Sequence, residues 1–184
     1  MTTAYSKNTI KVIDKNFEIF IHNSEIESAI KNVADKINID YSGKKPLFIV
    51  ILNGAFMFAA DLMKNLNIDC EVSFVKLSSY QGTKSTEKVK KIIGLNESIV
   101  GRNIIIVEDI IDSGITMENL LQEMNLLKPS DIKIATLLFK PAAFQKDFKI
   151  HYIGLDIPND FIVGYGLDYD GYGRNLPDIY KLVE

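Results

Sequence analysis

The sequence predicts an α/β fold, a mostly parallel sheet with helices on both faces, and a small subdomain drawn from the two chain ends. Three observations carry this. Leu47-Phe48-Ile49-Val50-Ile51-Leu52 is an unbroken apolar run, the pattern of a strand covered on both faces. Such runs alternate with segments of helical apolar spacing, which joins parallel strands by crossover helices. The ends differ: residues 1–22 and 150–184 are strand-like, rich in aromatic residues and Gly, and belong over one edge of a core spanning about 24–149.

An amphipathic helix is expected from about Ser24 to Ile37, with Ser24 as N-cap and Glu27 completing a capping box. It leads into the 47–52 strand, which Asn53-Gly54 ends. Ala55 to Leu66 has helical spacing and Val72 to Leu77 reads as a second strand. Asn103 to Val107 is a third, followed by a helix from about Thr116 to Leu127 that Pro129 stops. Ile132 to Phe139 is a fourth. Between Ser78 and Val89 the chain is nearly free of apolar residues, which suits either a solvated hairpin or a mobile lid over a site.

Composition narrows the classes. The 184 residues are 47% apolar, enough for one sizeable core in a single domain. A net charge of −3 argues against a broad nucleic-acid footprint. The single Cys70 has no internal disulfide partner and reads as a small buried hydrophobe in a reducing compartment. The first residues lack the apolar core of a secretory leader, and no apolar run approaches the roughly 20 residues of a membrane span. A cytoplasmic protein without membrane or nucleic-acid partners is expected. His22 and His151 are isolated, and neither a Walker-type loop nor a dinucleotide fingerprint is present.

Chemistry concentrates in Val107-Glu108-Asp109-Ile110-Ile111-Asp112-Ser113-Gly114-Ile115-Thr116. A buried strand is expected to end in two carboxylates, before a third acid and a Ser-Gly-x-Thr turn that opens a helix. In open α/β sheets ligands sit at the carboxyl ends of strands. The N–H groups and hydroxyls of Ser113, Gly114 and Thr116 would converge at a helix N-terminus, where a phosphate is favoured. Glu108 and Asp109, acceptors when ionised, suit sugar hydroxyls or a magnesium shell. Asp112 or Ser113 as a simple cap accounts for one acid, but not for the Glu-Asp pair after an Ile-Ile-Ile-Val run.

This segment resembles the signature of phosphoribosyltransferases that use phosphoribosyl pyrophosphate, and the whole chain resembles the hypoxanthine-guanine members. Leu52-Asn53-Gly54 is similar to that family's pyrophosphate loop, and Leu77-Ser78-Ser79-Tyr80 to its mobile-loop entry. Leu137-Leu138-Phe139-Lys140 resembles the purine-reading strand. Phe161-Ile162-Val163-Gly164-Tyr165-Gly166-Leu167-Asp168-Tyr169 and Arg174 resemble the base-binding hood.

The resemblance implies a type I phosphoribosyltransferase fold with its hood, transfer of phosphoribosyl to hypoxanthine or guanine, Mg2+ as cofactor, and a dimer or tetramer. It implies that Ser113, Gly114 and Thr116 hold the terminal phosphate, that Glu108 and Asp109 bind the ribose, and that Asp112 is the proton acceptor near purine N7. Lys140 would meet the exocyclic oxygen, Phe161 and Ile110 would sandwich the ring, and Ile162 and Asp168 would read its edge. Asn53, Gly54 and Arg174 would hold pyrophosphate, Asp168 with Glu108 and Asp109 would serve the metal, and Ser79 and Tyr80 would belong to the lid. The family's cis peptide before Asn53 is expected too, although many members have Lys at that position. Two other readings share these residues: a xanthine-preferring relative, and a non-catalytic regulator that senses phosphoribosyl pyrophosphate. The acidic balance and the retained Asp112, Lys140, Asp168 and Arg174 speak against the regulator.

Overall fold

In a computed structural model, residues 8–79 and 90–183 are described. The elements run β1 Thr9–Val12, β2 Lys15–Ile21, α1 Asn23–Asp40, β3 Leu47–Leu52, α2 Phe56–Lys64, β4 Glu71–Ser79, β5 Lys90–Ile93, β6 Asn103–Ile111, α3 Ile115–Leu126, β7 Asp131–Phe139, β8 Tyr152–Asp156, β9 Ile162–Val163 and β10 Ile179–Leu182. Six strands form the main sheet in the order β5-β4-β3-β6-β7-β8, with only β5 antiparallel to its neighbour. A second, antiparallel sheet, β1-β2-β10-β9, takes strands from both ends of the chain.

The pleat sorts the core into two layers. Phe48 and Val50 of β3, with Ile105 and Val107 of β6, face α1 and α2, where Ile26, Ile30, Val33, Phe58 and Leu62 are buried. Leu47, Ile49, Ile51, Ile104 and Ile106 face the opposite way, onto Met117, Leu120 and Met124 of α3. Alternate residues of an apolar run thus serve different helices, as period-two geometry requires.

Three expectations are corrected. The helix predicted from Ser24 begins at Asn23 and lacks the Ser24–Glu27 capping box. The Asn23 N–H instead donates to Asp178 Oδ1 at 2.7 Å, and the Asn23 amide donates to Glu27 Oε1 at 2.6 Å. A carboxylate distant in sequence does the work of a local cap, so Ser24 is free to lie within the first turn. Residues 152–156, assigned from sequence to the terminal subdomain, pair with β7 as the edge of the main sheet. The third correction concerns β6. It does not end at Val107 but continues to Ile111, because β7 pairs with it as far as Phe139.

The chain's other singular residues are structural. Cys70 is half-buried against the α1–α2 core, and burial, then the nearby Asp69 charge, pushes its thiol up. His151 Nδ1 accepts a hydrogen bond from the Ile134 N–H, while His22 is an exposed residue before α1. Among the described residues no helix is long and apolar enough to cross a membrane.

At its far end α1 is tied to the sheet. Asp40 accepts hydrogen bonds from the Tyr152 hydroxyl (2.7 Å) and Lys133 Nζ (3.0 Å). The Tyr152 bond first, then Lys133, holds the Asp40 carboxyl below its ordinary value. A depressed carboxylate contributes stability above its unfolded pKa and loses it as pH falls through the folded one. Asp40→Asn should therefore lower stability at neutral pH, with the deficit shrinking below about pH 4 in urea titrations. A deficit of equal size in acid would contradict this.

Candidate active site

The site begins where two neighbouring strands part. β3 pairs with β6 only from Leu47↔Ile104 to Val50↔Val107. Past that point β3 turns off through a cis Leu52–Asn53 peptide, as the resemblance implies, while β6 runs on beside β7 alone. Glu108, Asp109 and Ile110 thus lie on a strand released on one side, and all three are half-buried.

Asp109 fills the gap. Its carboxylate packs directly against Gly54, where any side chain would overlap it. The Ile110 N–H donates to Asp109 Oδ1 at 2.8 Å, and the Asp109 N–H donates to Glu108 Oε1 at 3.3 Å. Burial pushes the Asp109 carboxyl up; the bonds to Glu108 and the backbone, and the Arg174 charge, offset this in part.

Asp112, Ser113 and Gly114 make the turn into α3. Together with Glu108, Ile110, Ile111, Thr116 and Met117 they line a small open pocket. Gly114, at φ +82°, is the residue before the helix, so the first α3 N–H groups face this pocket. A Cβ on Gly114 would lie 2.6 Å from the Phe144 ring. Phe144, in the loop after β7, packs edge-on with Phe139 and Phe148, and the neighbouring Gln145 N–H donates to the Ser113 carbonyl at 3.2 Å. This loop therefore buttresses the turn from behind. Nothing in the sequence pattern singled it out, because aromatic residues in a connecting loop read as satellite core.

Lys140 directly follows β7 and is almost fully buried, and its Nζ lies 3.3 Å from Asp112 Oδ2. The Lys140 N–H donates to the Ile111 carbonyl, which sets the two side chains on adjoining strand ends. Asp112 itself is exposed. A buried cation and an exposed carboxylate thus present one positive and one negative group side by side.

The remaining expected residues come from the small sheet and its loops. Phe161 is 46% exposed, with Phe17 and Tyr169 against its ring. Lys15, which sequence reasoning did not select, sits with its Nζ 5.7 Å from the Phe161 centroid and 5.0 Å from that of Tyr169. Ile162 is buried in β9. Asp168 receives Arg174 Nη2 at 2.6 Å and the Gly171 N–H at 2.6 Å, while Arg174 Nη1 donates to the Gly166 carbonyl at 2.6 Å. Glu108, Asp109 and Asp168 do not form a three-ligand metal cluster among the described residues. Asp168, expected near the metal, is paired with Arg174. Asn53 is exposed beside the cis peptide. Ser79 ends β4, and Tyr80 lies outside the described residues.

Comparison with known proteins gives the class. Residues 18–170 match the phosphoribosyl transferase domain model. The hypoxanthine-guanine phosphoribosyltransferase of Bacillus subtilis (strain 168) is 41% identical over 163 residues, covering 88% of this chain and 91% of that protein. A crystal structure of a hypoxanthine-guanine phosphoribosyltransferase from Bacillus anthracis, with HEPES in its active site, superposes with a TM-score of 0.83 at 37% identity, over 90% of this chain and 98% of that one. The bifunctional protein TilS/HprT of Listeria monocytogenes (serotype 4b, strain F2365) is 39% identical over 163 residues, 88% of this chain, which spans only 25% of that longer protein. The chain belongs to the phosphoribosyltransferase family, in the branch of the hypoxanthine-guanine phosphoribosyltransferases.

The packing behind the turn can be tested directly. Gly114→Ala must hold a left-handed backbone, which costs about 1 kcal/mol, and must also displace Phe144. Thermal melts should show the substitution costing less in a Phe144→Ala background than in the parent chain. Equal costs in both backgrounds would show that the ring is not the obstacle.

Proposed function

We propose that this chain is an enzyme of purine salvage that transfers the phosphoribosyl group of phosphoribosyl pyrophosphate to hypoxanthine or guanine, giving IMP or GMP and pyrophosphate. One observation carries the choice of base: Lys140 Nζ lies 3.3 Å from Oδ2 of Asp112, which lines the pocket. A 6-oxopurine presents its N7 position and its exocyclic oxygen side by side on one edge. A carboxylate suits the proton at N7, and an ammonium, a donor only, suits the oxygen. Adenine would offer an amino group to that ammonium, donor against donor.

The other roles follow from position. The α3 N-terminal turn, with Ser113, Gly114 and Thr116, would take the 5′-phosphate on its N–H groups. Glu108 and Asp109, on the released stretch of β6, would accept hydrogen bonds from the ribose hydroxyls. Ile110 and the exposed Phe161 ring would hold the base between them. Ile162 and Asp168 would read the far edge of the base through their main-chain groups. Asn53 and Gly54 would offer backbone donors to pyrophosphate, and Arg174 its positive charge.

N9 of the base attacks the anomeric carbon as its bond to pyrophosphate breaks, and Asp112 accepts the N7 proton. Lys140 offsets negative charge on the exocyclic oxygen during this step. No covalent enzyme intermediate is needed, so positioning and fixed charge supply the acceleration. Ser79 and Tyr80 would begin a lid that keeps water from the electrophilic sugar.

Magnesium fits this donor set. Two adjacent half-buried carboxylates, Glu108 and Asp109, offer hard oxygens, and the ion commonly takes one or two carboxylates with substrate oxygens instead of a protein cage. Asp168, already paired with Arg174, would act through water. Bound with substrate, the ion would neutralise charge on the leaving pyrophosphate. The assembly we propose is a dimer or tetramer in the cytoplasm.

A magnesium-dependent assay of pyrophosphate release with hypoxanthine, guanine and xanthine in turn tests the whole reading; turnover of xanthine alone would sink it. Asp112→Asn should lower kcat by about a hundred- to ten-thousand-fold with phosphoribosyl pyrophosphate affinity largely kept. Unchanged turnover removes Asp112 from the chemistry. Lys140→Ala should raise KM for the base more than for the sugar phosphate, and matching losses would contradict base recognition.

A further inference from the structure

The two sides of the pyrophosphate site come from distant parts of the chain, Leu52–Gly54 on one side and Arg174 on the other. Something must set the distance between them. The turn at Tyr165–Gly166 touches both. Gly166, at φ +96°, packs against the Gly54 carbonyl so closely that no side chain would fit. The Gly166 N–H donates to the Arg174 carbonyl at 2.9 Å, and Arg174 Nη1 returns a bond to the Gly166 carbonyl at 2.6 Å. The Tyr165 N–H donates to the Leu176 carbonyl at 2.8 Å, so this turn and the segment carrying Arg174 move as one piece.

Among the described residues, a side-chain hydrogen bond ties that piece to the other half of the site. Tyr165, itself at φ +49° and almost wholly buried, donates its hydroxyl in a short hydrogen bond to Asp61 Oδ2. Asp61 stands on α2, the helix that begins two residues after Gly54. Its other oxygen receives Lys64 Nζ at 2.8 Å, which keeps a charged acceptor in place. The contacts close a ring: Gly54, α2, Asp61, Tyr165, Gly166, and back to the Gly54 carbonyl.

We infer that Asp61 and Tyr165 are a positioning pair that fixes the spacing between the Leu52–Gly54 loop and Arg174, and so tunes affinity for pyrophosphate and its phosphoribosyl ester. Neither residue touches the base-reading pair Asp112–Lys140, so the larger effect falls on pyrophosphate and its phosphoribosyl ester. The inference rests on the phosphoribosyl-transfer reading and adds two residues to it.

The test compares Tyr165→Phe, Asp61→Asn and the double variant with the parent chain. KM for phosphoribosyl pyrophosphate and the inhibition constant of inorganic pyrophosphate should each rise about tenfold in either single variant, the scale of one charge-assisted hydrogen bond. KM for hypoxanthine should stay within about twofold, a split that general loosening of the fold would not give. The double variant should be no worse than the singles, because either change removes the same charge-assisted hydrogen bond. Unchanged pyrophosphate constants, equal losses for base and pyrophosphate, or additive losses in the double variant would each overturn the inference. Should Tyr165→Phe not fold, Asp61→Asn carries the same test, since that side chain lies on the outer part of α2. A parent chain that neither turns over nor binds pyrophosphate would bring down the functional reading first, and this inference with it.

Discussion

Everything in the site depends on β6 having one partner too few. For its first half the strand is clamped between β3 and β7, and its side chains are the apolar ones a doubly covered strand requires. At Val107 the β3 side falls away while the β7 side holds. The backbone stays extended, yet its side chains now border a gap in the sheet. Two carboxylates, too costly to bury in a continuous sheet, become tolerable there. The gap, the acids bordering it and the turn into α3 are consequences of that one parting of strands.

The sheet supplies rigidity and the loops supply chemistry. Lys140, Asp112 and the α3 turn are all within a residue or two of strand ends, so their placement inherits the precision of the ladder. Phe144 and its aromatic neighbours press on the turn from outside. The terminal sheet and its loops add Phe161 and the Arg174–Asp168 pair, and Ile21, Ile162 and Ile179 join that sheet to the main core. The site is thus assembled from a stiff floor and a separately built roof.

Much of this was legible in the residues. The apolar runs at 47–52, 103–107 and 132–139 read as strands, as the structure has them, and the acid-rich segment after Val107 stood out by chemistry alone. What escaped was set by partners remote in sequence. Asp178 caps α1, so the apparent Ser24 capping box was decoration. Residues 152–156 have the same aromatic, Gly-containing composition as the terminal segments, and only their pairing with β7 assigns them to the main sheet. Asp61 reads as an ordinary solvated helix acid until Tyr165, more than a hundred residues later, is seen donating to it. Lys15 was invisible for a similar reason: a lysine opening a strand gives no sign of the rings it will cover.

The terminal sheet has a consequence for how the molecule comes into being. β2, near the start of the chain, finds its partner β10 only near the end, and nearly the whole main sheet lies between them. Loop closure over that length is entropically the most expensive pairing in the fold, and it repays only once the intervening core has shortened the path. During synthesis β2 can pair at once with β1, but its other edge must wait until β10 has emerged. The main sheet, with the acid-bearing strand β6 and the turn into α3, can form during that wait, whereas the terminal sheet closes only afterwards.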